Sequence, residues 1–143
     1  MGNRRNGFTL VELLTAIVVM TIISGAAMMS LTAADQTAKR EAERVQAYIY
    51  DLMRKADRAH VNFEIVVASD KLTVTWQNGT VDTLIPTEGC YFVNHTKQDK
   101  NYNYTSKGFS GGSIRVIGAD GDTWYVILAV ANEGRVRISD KAP

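Results

Sequence analysis

Residues 7–14 read Gly-Phe-Thr-Leu-Val-Glu-Leu-Leu, and an uncharged apolar run extends from Leu13 to Ala34. A short basic leader, residues 1–6, precedes this stretch. The run contains no proline, and a helix that rises about 1.5 Å per residue over this length can cross a hydrocarbon core of about 30 Å. The stretch therefore predicts a transmembrane helix near the start of the chain.

The position of the basic leader indicates how this helix is oriented and processed. A secretory signal has an apolar core of about 7–15 residues with a small-residue cleavage site after it. The run in this chain is longer and ends without such a site, so cleavage is predicted before it, which would leave the apolar helix in the mature protein. Arg4 and Arg5 would hold the leader on the cytoplasmic side, with the rest of the chain facing outward.

The same residues resemble the N-terminus of the type IV prepilin and pseudopilin family, in which a basic leader ends in glycine and a glutamate lies fifth after the cut. The resemblance implies a leader of residues 1–7, cleavage by a prepilin peptidase between Gly7 and Phe8, and N-methylation of Phe8. It also implies that Glu12 pairs with the N-terminal amine of a neighbouring subunit during assembly. The simpler interpretation of Glu12 is a carboxylate in the first turn of a helix, favoured by the helix dipole.

Residues 9 to about 60 lack proline and contain one glycine, Gly25, which predicts one long helix. Residues 8–34 would be its transmembrane and assembly half, and residues 35–60 its amphipathic half. Apolar positions in the second half recur at steps of three and four and predict packing on a sheet, with a coiled coil as the alternative. These positions are Ala38, Ala42, Val45, Ile49, Leu52, Ala56 and Ala59.

From residue 61 the apolar period changes to two, which predicts an antiparallel β domain over residues 61–143. Asn78-Gly79 predicts a two-residue hairpin turn. The polar segment 94–112 is expected to be a long exposed loop, in which Tyr102 and Tyr104 either contact a partner or are solvated. The predicted strands cover residues 61–67, 72–76, 80–85, 90–93, 113–117, 123–131 and 135–139.

The fold class is therefore predicted to be α+β, with a long N-terminal helix packed on a C-terminal antiparallel β domain. Gly112–Val116, Tyr125–Val130 and Gly134–Ile138 resemble the end of the GspH/FimT-type minor pseudopilins, a looser resemblance than the N-terminal one.

The charge balance gives no support for nucleic-acid binding. The chain has 16 Lys and Arg and 15 Asp and Glu; with Arg4, Arg5 and Glu12 set aside, the part beyond Ala34 is balanced at 14 of each. A single cysteine, Cys90, excludes an internal disulfide and is expected to be a small buried side chain. Many major pilins close a C-terminal loop with a disulfide, so this difference favours a minor pilin or a pseudopilin.

No set of residues predicts catalysis, a cofactor or a metal site. Gly108–Gly112 fits the G-x-S-x-G pattern around Ser110, but a nucleophile elbow needs a strand before it, a helix after it and a later histidine. Both His60 and His95 precede Ser110. Asp120-Gly121-Asp122 is expected to be an ordinary acidic turn rather than a calcium site.

We therefore expect a structural subunit of a type IV pilus, a type II secretion system or a DNA-uptake filament, not an enzyme. Its expected partners are prepilin peptidase, other pilin or pseudopilin subunits, the inner-membrane assembly platform and membrane lipid. Its expected location is the inner membrane, in a single pass with the C-terminal domain outside the cytoplasm, and then the filament. The alternative is a single-pass anchored binding module that recognises substrate or DNA.

Overall fold

A computed structural model describes residues 9–34, 37–96, 101–129 and 135–143, with side chains omitted for residues 25–34. The chain divides into two compact units, Met1–Ala34 and Asp35–Pro143. The first contains helix α1, Leu10–Ala34. The predicted continuity of one helix to residue 60 depends on residues 35–36, which lie outside the described residues.

Helix α1 carries apolar side chains on every side, and those of residues 9–24 are exposed. Among the described residues, no helix meets the combined length and apolarity needed to cross a membrane. The transmembrane span predicted for residues 8–34 is therefore not confirmed.

In the described residues of the second unit, helix α2, Thr37–Ala59, is followed by nine strands that form two antiparallel sheets. The five-stranded sheet has the order β3-β2-β1-β5-β6, and the four-stranded sheet has the order β4-β7-β8-β9. The strands are β1 Phe63–Ala68, β2 Lys71–Trp76, β3 Val81–Leu84, β4 Tyr91–Asn94, β5 Tyr102–Thr105, β6 Gly108–Phe109, β7 Gly112–Ile117, β8 Thr123–Leu128 and β9 Val136–Ser139. The predicted α+β class, with a helix packed on antiparallel sheets, is confirmed for this unit.

One face of α2 supplies the helix side of the core. It packs against β7, β8 and β9, so the predicted sheet packing is confirmed over the coiled coil. Six of the seven apolar positions predicted to pack on the sheet are buried. Ala59 is exposed because it lies at the end of the helix. The buried apolar residues of α2 are Ala38, Ala42, Val45, Ile49, Leu52, Met53 and Ala56.

Glu41 also lies on the buried face, although it is not among the apolar positions that predicted this face. Only 2% of its side chain is exposed. The Arg44 Nη1 atom lies 2.9 Å from its carboxylate, and the Thr87 hydroxyl donates a hydrogen bond to Oε2. A buried carboxylate needs such partners because transfer out of water disfavours its charge. The pair also ties α2 to the connection between β3 and β4, where Arg44 donates to the Ile85 carbonyl at 3.0 Å.

The segment predicted as a long loop instead contains β5 and β6. Tyr102 and Tyr104 alternate with exposed Asn103 and Thr105, and both tyrosines are buried. The loop prediction was wrong because the asparagine-rich composition masked a period-two pattern, and β-propensity depends strongly on packing. Neither alternative considered for the two tyrosines, a partner contact or a solvated ring, describes their place in the core.

Tyr102 links the two sheets. Its hydroxyl donates to the Ser113 carbonyl on β7 at 2.7 Å and lies within hydrogen-bond distance of the Asn94 side chain on β4. Gly112, with φ of 135°, accommodates the ring because a Cβ at that position would overlap it. Tyr104 donates to the Asp57 carboxylate on α2 at 2.9 Å, so both tyrosines join layers of the unit.

The hairpin between β2 and β3 also differs from its prediction. The Trp76 amide donates to the Thr80 carbonyl at 2.9 Å, and the Gly79 amide donates to the Trp76 carbonyl at 2.9 Å. These bonds enclose three loop residues, with Gly79 at φ of 85°, instead of the two expected. A turn of this type places glycine in the left-handed position that follows a type I turn.

Helix α2 ends at a left-handed histidine. His60 has φ of 52°, and the Val61 amide donates to the Ala56 carbonyl at 3.1 Å. This is the Schellman arrangement, in which glycine is the preferred residue at the left-handed position. His60 is exposed, so its side chain does not offset the backbone strain by burial.

Replacement of His60 by glycine should therefore raise the free energy of unfolding by about 1 kcal/mol. Denaturation of the purified chain, followed through the fluorescence of Trp76 and Trp124, measures this change. His60→Ala is the matched control, because alanine keeps a Cβ in the left-handed region. An equal gain in the alanine variant would contradict the backbone explanation.

The stability of the second unit should fall at alkaline pH. Burial raises the pKa of Tyr102 to about 12, and burial with the Asp57 hydrogen bond raises the pKa of Tyr104 to about 12. An unfolded tyrosine loses its proton near pH 10. Between pH 10 and 12 the unfolded state thus binds fewer protons than the folded state, so the free energy of unfolding falls as the pH rises.

Denaturation midpoints measured at intervals from pH 9 to 12 test this slope. The double variant Tyr102→Phe/Tyr104→Phe is less stable at every pH, but its stability should depend less on pH across this window. An unchanged slope in the double variant would show that other groups cause the alkaline loss.

Candidate assembly site at the start of helix α1

Of the predicted site residues Gly7, Phe8 and Glu12, the structure describes Glu12. It lies in the first turn of α1, where Glu12 and Thr9 cap the helix reciprocally. The Thr9 amide donates to Glu12 Oε2 at 3.0 Å, and the Glu12 amide donates to Thr9 Oγ1 at 3.3 Å. The Thr9 hydroxyl also donates to Oε2 at 3.0 Å. The Leu13 amide donates to the Thr9 carbonyl at 3.1 Å, which makes Thr9 the N-cap residue.

This arrangement is a capping box, in which a threonine and a glutamate three residues later satisfy each other's backbone amides. The first four amides of a helix have no partner within the helix, so the box fixes where α1 begins. For Glu12, pairing with a neighbouring amine and the helix dipole were both considered from the sequence, but the cap with Thr9 was missed. The pattern Thr9-x-x-Glu12 before an apolar run was the available signal.

Glu12 retains the ability to bind a cation while it caps the helix. Among the described residues, both of its side-chain hydrogen bonds use Oε2. The other oxygen, Oε1, can accept a hydrogen bond from an ammonium group. Glu12 is exposed, so a neighbouring molecule can reach it.

The hydroxyl groups described within α1, those of Thr15, Thr21 and Ser24, bond to their own helix. Thr15 donates to the Val11 carbonyl at 2.9 Å, and Ser24 donates to the Met20 carbonyl at 2.7 Å. Thr21 donates to the Val18 carbonyl at 2.8 Å. Because these polar groups are satisfied by their own backbone, the surface that α1 presents over residues 13–24 is apolar.

The predicted cleavage and methylation residues, Gly7 and Phe8, lie outside the described residues, as do Arg4 and Arg5. Thr9 and Glu12, the second and fifth residues after the predicted cut, are described. The structure therefore describes the carboxylate of the predicted assembly pair, and the amine of Phe8 stays a prediction.

The other residues considered in the sequence have structural roles in the second unit. Ser110 is exposed in the connection between β6 and β7, where its amide donates to the Asn103 carbonyl at 3.3 Å. Cys90 is buried as predicted, and burial raises the pKa of its thiol. A buried thiol with a raised pKa is a poor nucleophile.

His95 forms a contact that sequence reasoning missed. Its Nδ1 atom lies 3.0 Å from the Ser113 hydroxyl, which also lies 2.7 Å from the Thr96 hydroxyl. Ser113 is fully buried, so no substrate can reach its hydroxyl. The contact joins residues 18 positions apart across a segment predicted to be a loop, and no local sequence signal indicates it.

The comparisons with known proteins agree with the N-terminal site. The family model described as "Prokaryotic N-terminal methylation motif" matches residues 2–28. Comparison with curated proteins and with solved structures finds no match. The matched segment includes Gly7, Phe8 and Glu12, and it supports the type IV prepilin and pseudopilin family, whose members are structural subunits.

Proposed function

We propose that this protein is a minor pilin or pseudopilin, a structural subunit of a type IV pilus, a type II secretion system or a DNA-uptake filament. The methylation motif at residues 2–28 is the observation that carries the proposal. Prepilin peptidase cuts between Gly7 and Phe8, and the new N-terminal amine of Phe8 is methylated. Removal of residues 1–7 leaves a mature chain of 136 residues.

The exposed apolar surface of α1 supports this role. Leu10 and Met20 are 77% and 71% exposed, and apolar side chains on the other sides of the helix are exposed as well. A helix that is apolar on all sides is stable when lipid or other apolar helices cover it. We assign lipid of the inner membrane as its cover before assembly, in a single pass with the second unit outside the cytoplasm, and the helices of sister subunits as its cover in the filament.

Glu12 acts when α1 moves from the lipid of the membrane to the helices of the filament. A carboxylate among apolar helices is costly unless a cation pairs with it. The amine of Phe8 from a neighbouring subunit is this cation, and it donates a hydrogen bond to Glu12 Oε1. The other oxygen, Oε2, continues to accept from Thr9 in the cap. Helix start and subunit pairing thus use different oxygens of one side chain.

The composition supports a minor subunit. Cys90 is the single cysteine and is buried, so the second unit is held by packing, without a disulfide. The inner-membrane assembly platform and the other subunits are the proposed partners. The resemblance of the last strands to the GspH/FimT type favours a pseudopilin of that group.

Three substitutions separate the charge of Glu12 from its cap. Glu12→Gln keeps the capping box, which accepts glutamine, but removes the charge. Thr9→Val removes the cap but keeps the charge, and Glu12→Ala removes both. Loss of a charge-assisted hydrogen bond of about 1.5–3 kcal/mol should lower incorporation into sheared filaments by about tenfold to a hundredfold in both Glu12 variants.

Immunoblots of sheared filaments and of membranes from the native cell measure this incorporation, and Thr9→Ser serves as the matched control for Thr9→Val. Hydrogen exchange at the amides of residues 10–13 in detergent should accelerate in Thr9→Val but not in Glu12→Gln. Assembly that fails in Thr9→Val and survives in Glu12→Gln would show that Glu12 acts through the cap alone.

The same preparations test processing. Mass spectrometry should find a chain that begins at methylated Phe8, and the subunit should be present in filaments at low abundance. A chain that keeps Met1 would contradict the proposed function, and absence from filaments would favour an isolated anchored receptor.

A further inference from the structure

Three Asn-x-Thr sequences occur in the second unit, at Asn78–Thr80, Asn94–Thr96 and Asn103–Thr105. Such a sequence is the acceptor for N-glycosylation when it lies in an accessible surface loop of an exported protein. The proposed function places this unit outside the cytoplasm, and the inference below rests on that location. The structure distinguishes the three sequences by their exposure and by the partners of their side chains.

Two of the sequences are held within the sheets. The Asn94 side chain is half-buried and lies within hydrogen-bond distance of the Tyr102 hydroxyl, while the Thr96 hydroxyl contacts Ser113. Asn103 is exposed but lies on β5, which pairs with β1 on one side and β6 on the other. A transferase must surround the acceptor backbone, and a strand paired on both sides is unavailable for this.

The third sequence lies in the hairpin loop between β2 and β3. Asn78, Gly79 and Thr80 are all exposed. A Cβ built at Gly79 meets no atom within 4 Å, so the space around the loop is open. Exposed hairpin loops are the segments of a domain that enzymes reach most easily.

The side chains of this loop also bring the hydroxyl of the acceptor sequence into contact with the acceptor amide. The Thr80 hydroxyl donates to Asn78 Oδ1 at 2.6 Å, and the Thr80 amide donates to the same oxygen at 3.0 Å. Two donors on Oδ1 draw electron density from the amide and make the protons on Nδ2 more acidic. Among the described residues, both hydrogen bonds of this side chain use Oδ1, so they do not occupy Nδ2.

From this geometry we infer that Asn78 is an N-glycosylation site whose sugar donor is a lipid-linked oligosaccharide. Nδ2 attacks the anomeric carbon of the donor, and a C–N bond forms as the bond between that carbon and the pyrophosphate oxygen breaks. The lipid pyrophosphate leaves with the electron pair, and one Nδ2 proton passes to a base of the transferase. The Thr80 hydroxyl is the positioning group, since it contacts the amide and takes no part in bond exchange.

Mass spectrometry of the full chain from its native cell tests this inference. Trypsin alone leaves Asn78 and Asn94 in one peptide, residues 72–97, so a second cut after Glu88 is needed to separate them. The intact glycopeptide is the required readout, because an Asn-Gly pair also deamidates. The peptide of residues 72–88 should carry a sugar on Asn78.

Four variants define the result. Asn78→Gln and Thr80→Val should lose the sugar completely, whereas Thr80→Ser should keep it because serine retains the hydroxyl. Asn62→Gln, which changes an exposed asparagine outside any acceptor sequence, should leave it unchanged. Since the three substituted positions are exposed, tryptophan fluorescence should show that the variants fold.

The outcomes are separable from those of the proposed function. A bare Asn78 on a chain that begins at Phe8 overturns the inference and leaves the subunit role intact. A sugar on Asn78 of a chain that keeps Met1 supports the inference and contradicts the proposed processing. If the Asn78→Gln variant still carries the sugar, attached to Thr80 or to another asparagine, the inference is also overturned.

Discussion

The packing of α2 on the four-stranded sheet is the interaction on which the second unit depends. Its buried face combines small alanines, which allow close approach, with larger Val45, Ile49 and Leu52, which fill the space above β7, β8 and β9. Gly118 shows how close this approach is, since a Cβ there would lie 3.1 Å from the Ala38 backbone. Without a disulfide, this apolar contact and the tyrosine links between layers must hold the unit together.

Under the proposed function, Glu12 meets two requirements of different range. The capping box is local, because it depends on residues three apart and forms in a single chain. The proposed pairing with the amine of another subunit is intermolecular and needs the charge. Glutamine could form the cap but could not pair with the amine, so the proposed pairing accounts for a glutamate, and not a glutamine, at this position.

The sequence predicts much of the second unit because its elements have clear periods. The stripe of α2 and strands such as β2 and β7 follow from steps of three and four or of two. The segment around Tyr102 and Tyr104 was missed because its strand is short and rich in asparagine, and its burial is decided by partners on α2 and β7. The burial of Glu41 was missed for a similar reason, since the Thr87 hydroxyl that donates a hydrogen bond to its carboxylate lies 46 positions away in the sequence. At the N-terminal site, Glu12 followed from a local motif, and Thr9 could have followed from the same motif.

The outer edge of β9 is partly covered by side chains of α2. Gln46 donates to the Val136 carbonyl at 2.6 Å, while the Tyr50 hydroxyl accepts from the Val136 amide at 3.2 Å. These side chains occupy backbone groups that an edge strand otherwise offers to another chain. The amide and carbonyl of Val136 are therefore already bonded, which makes this end of β9 a poor place for another strand to add to the sheet.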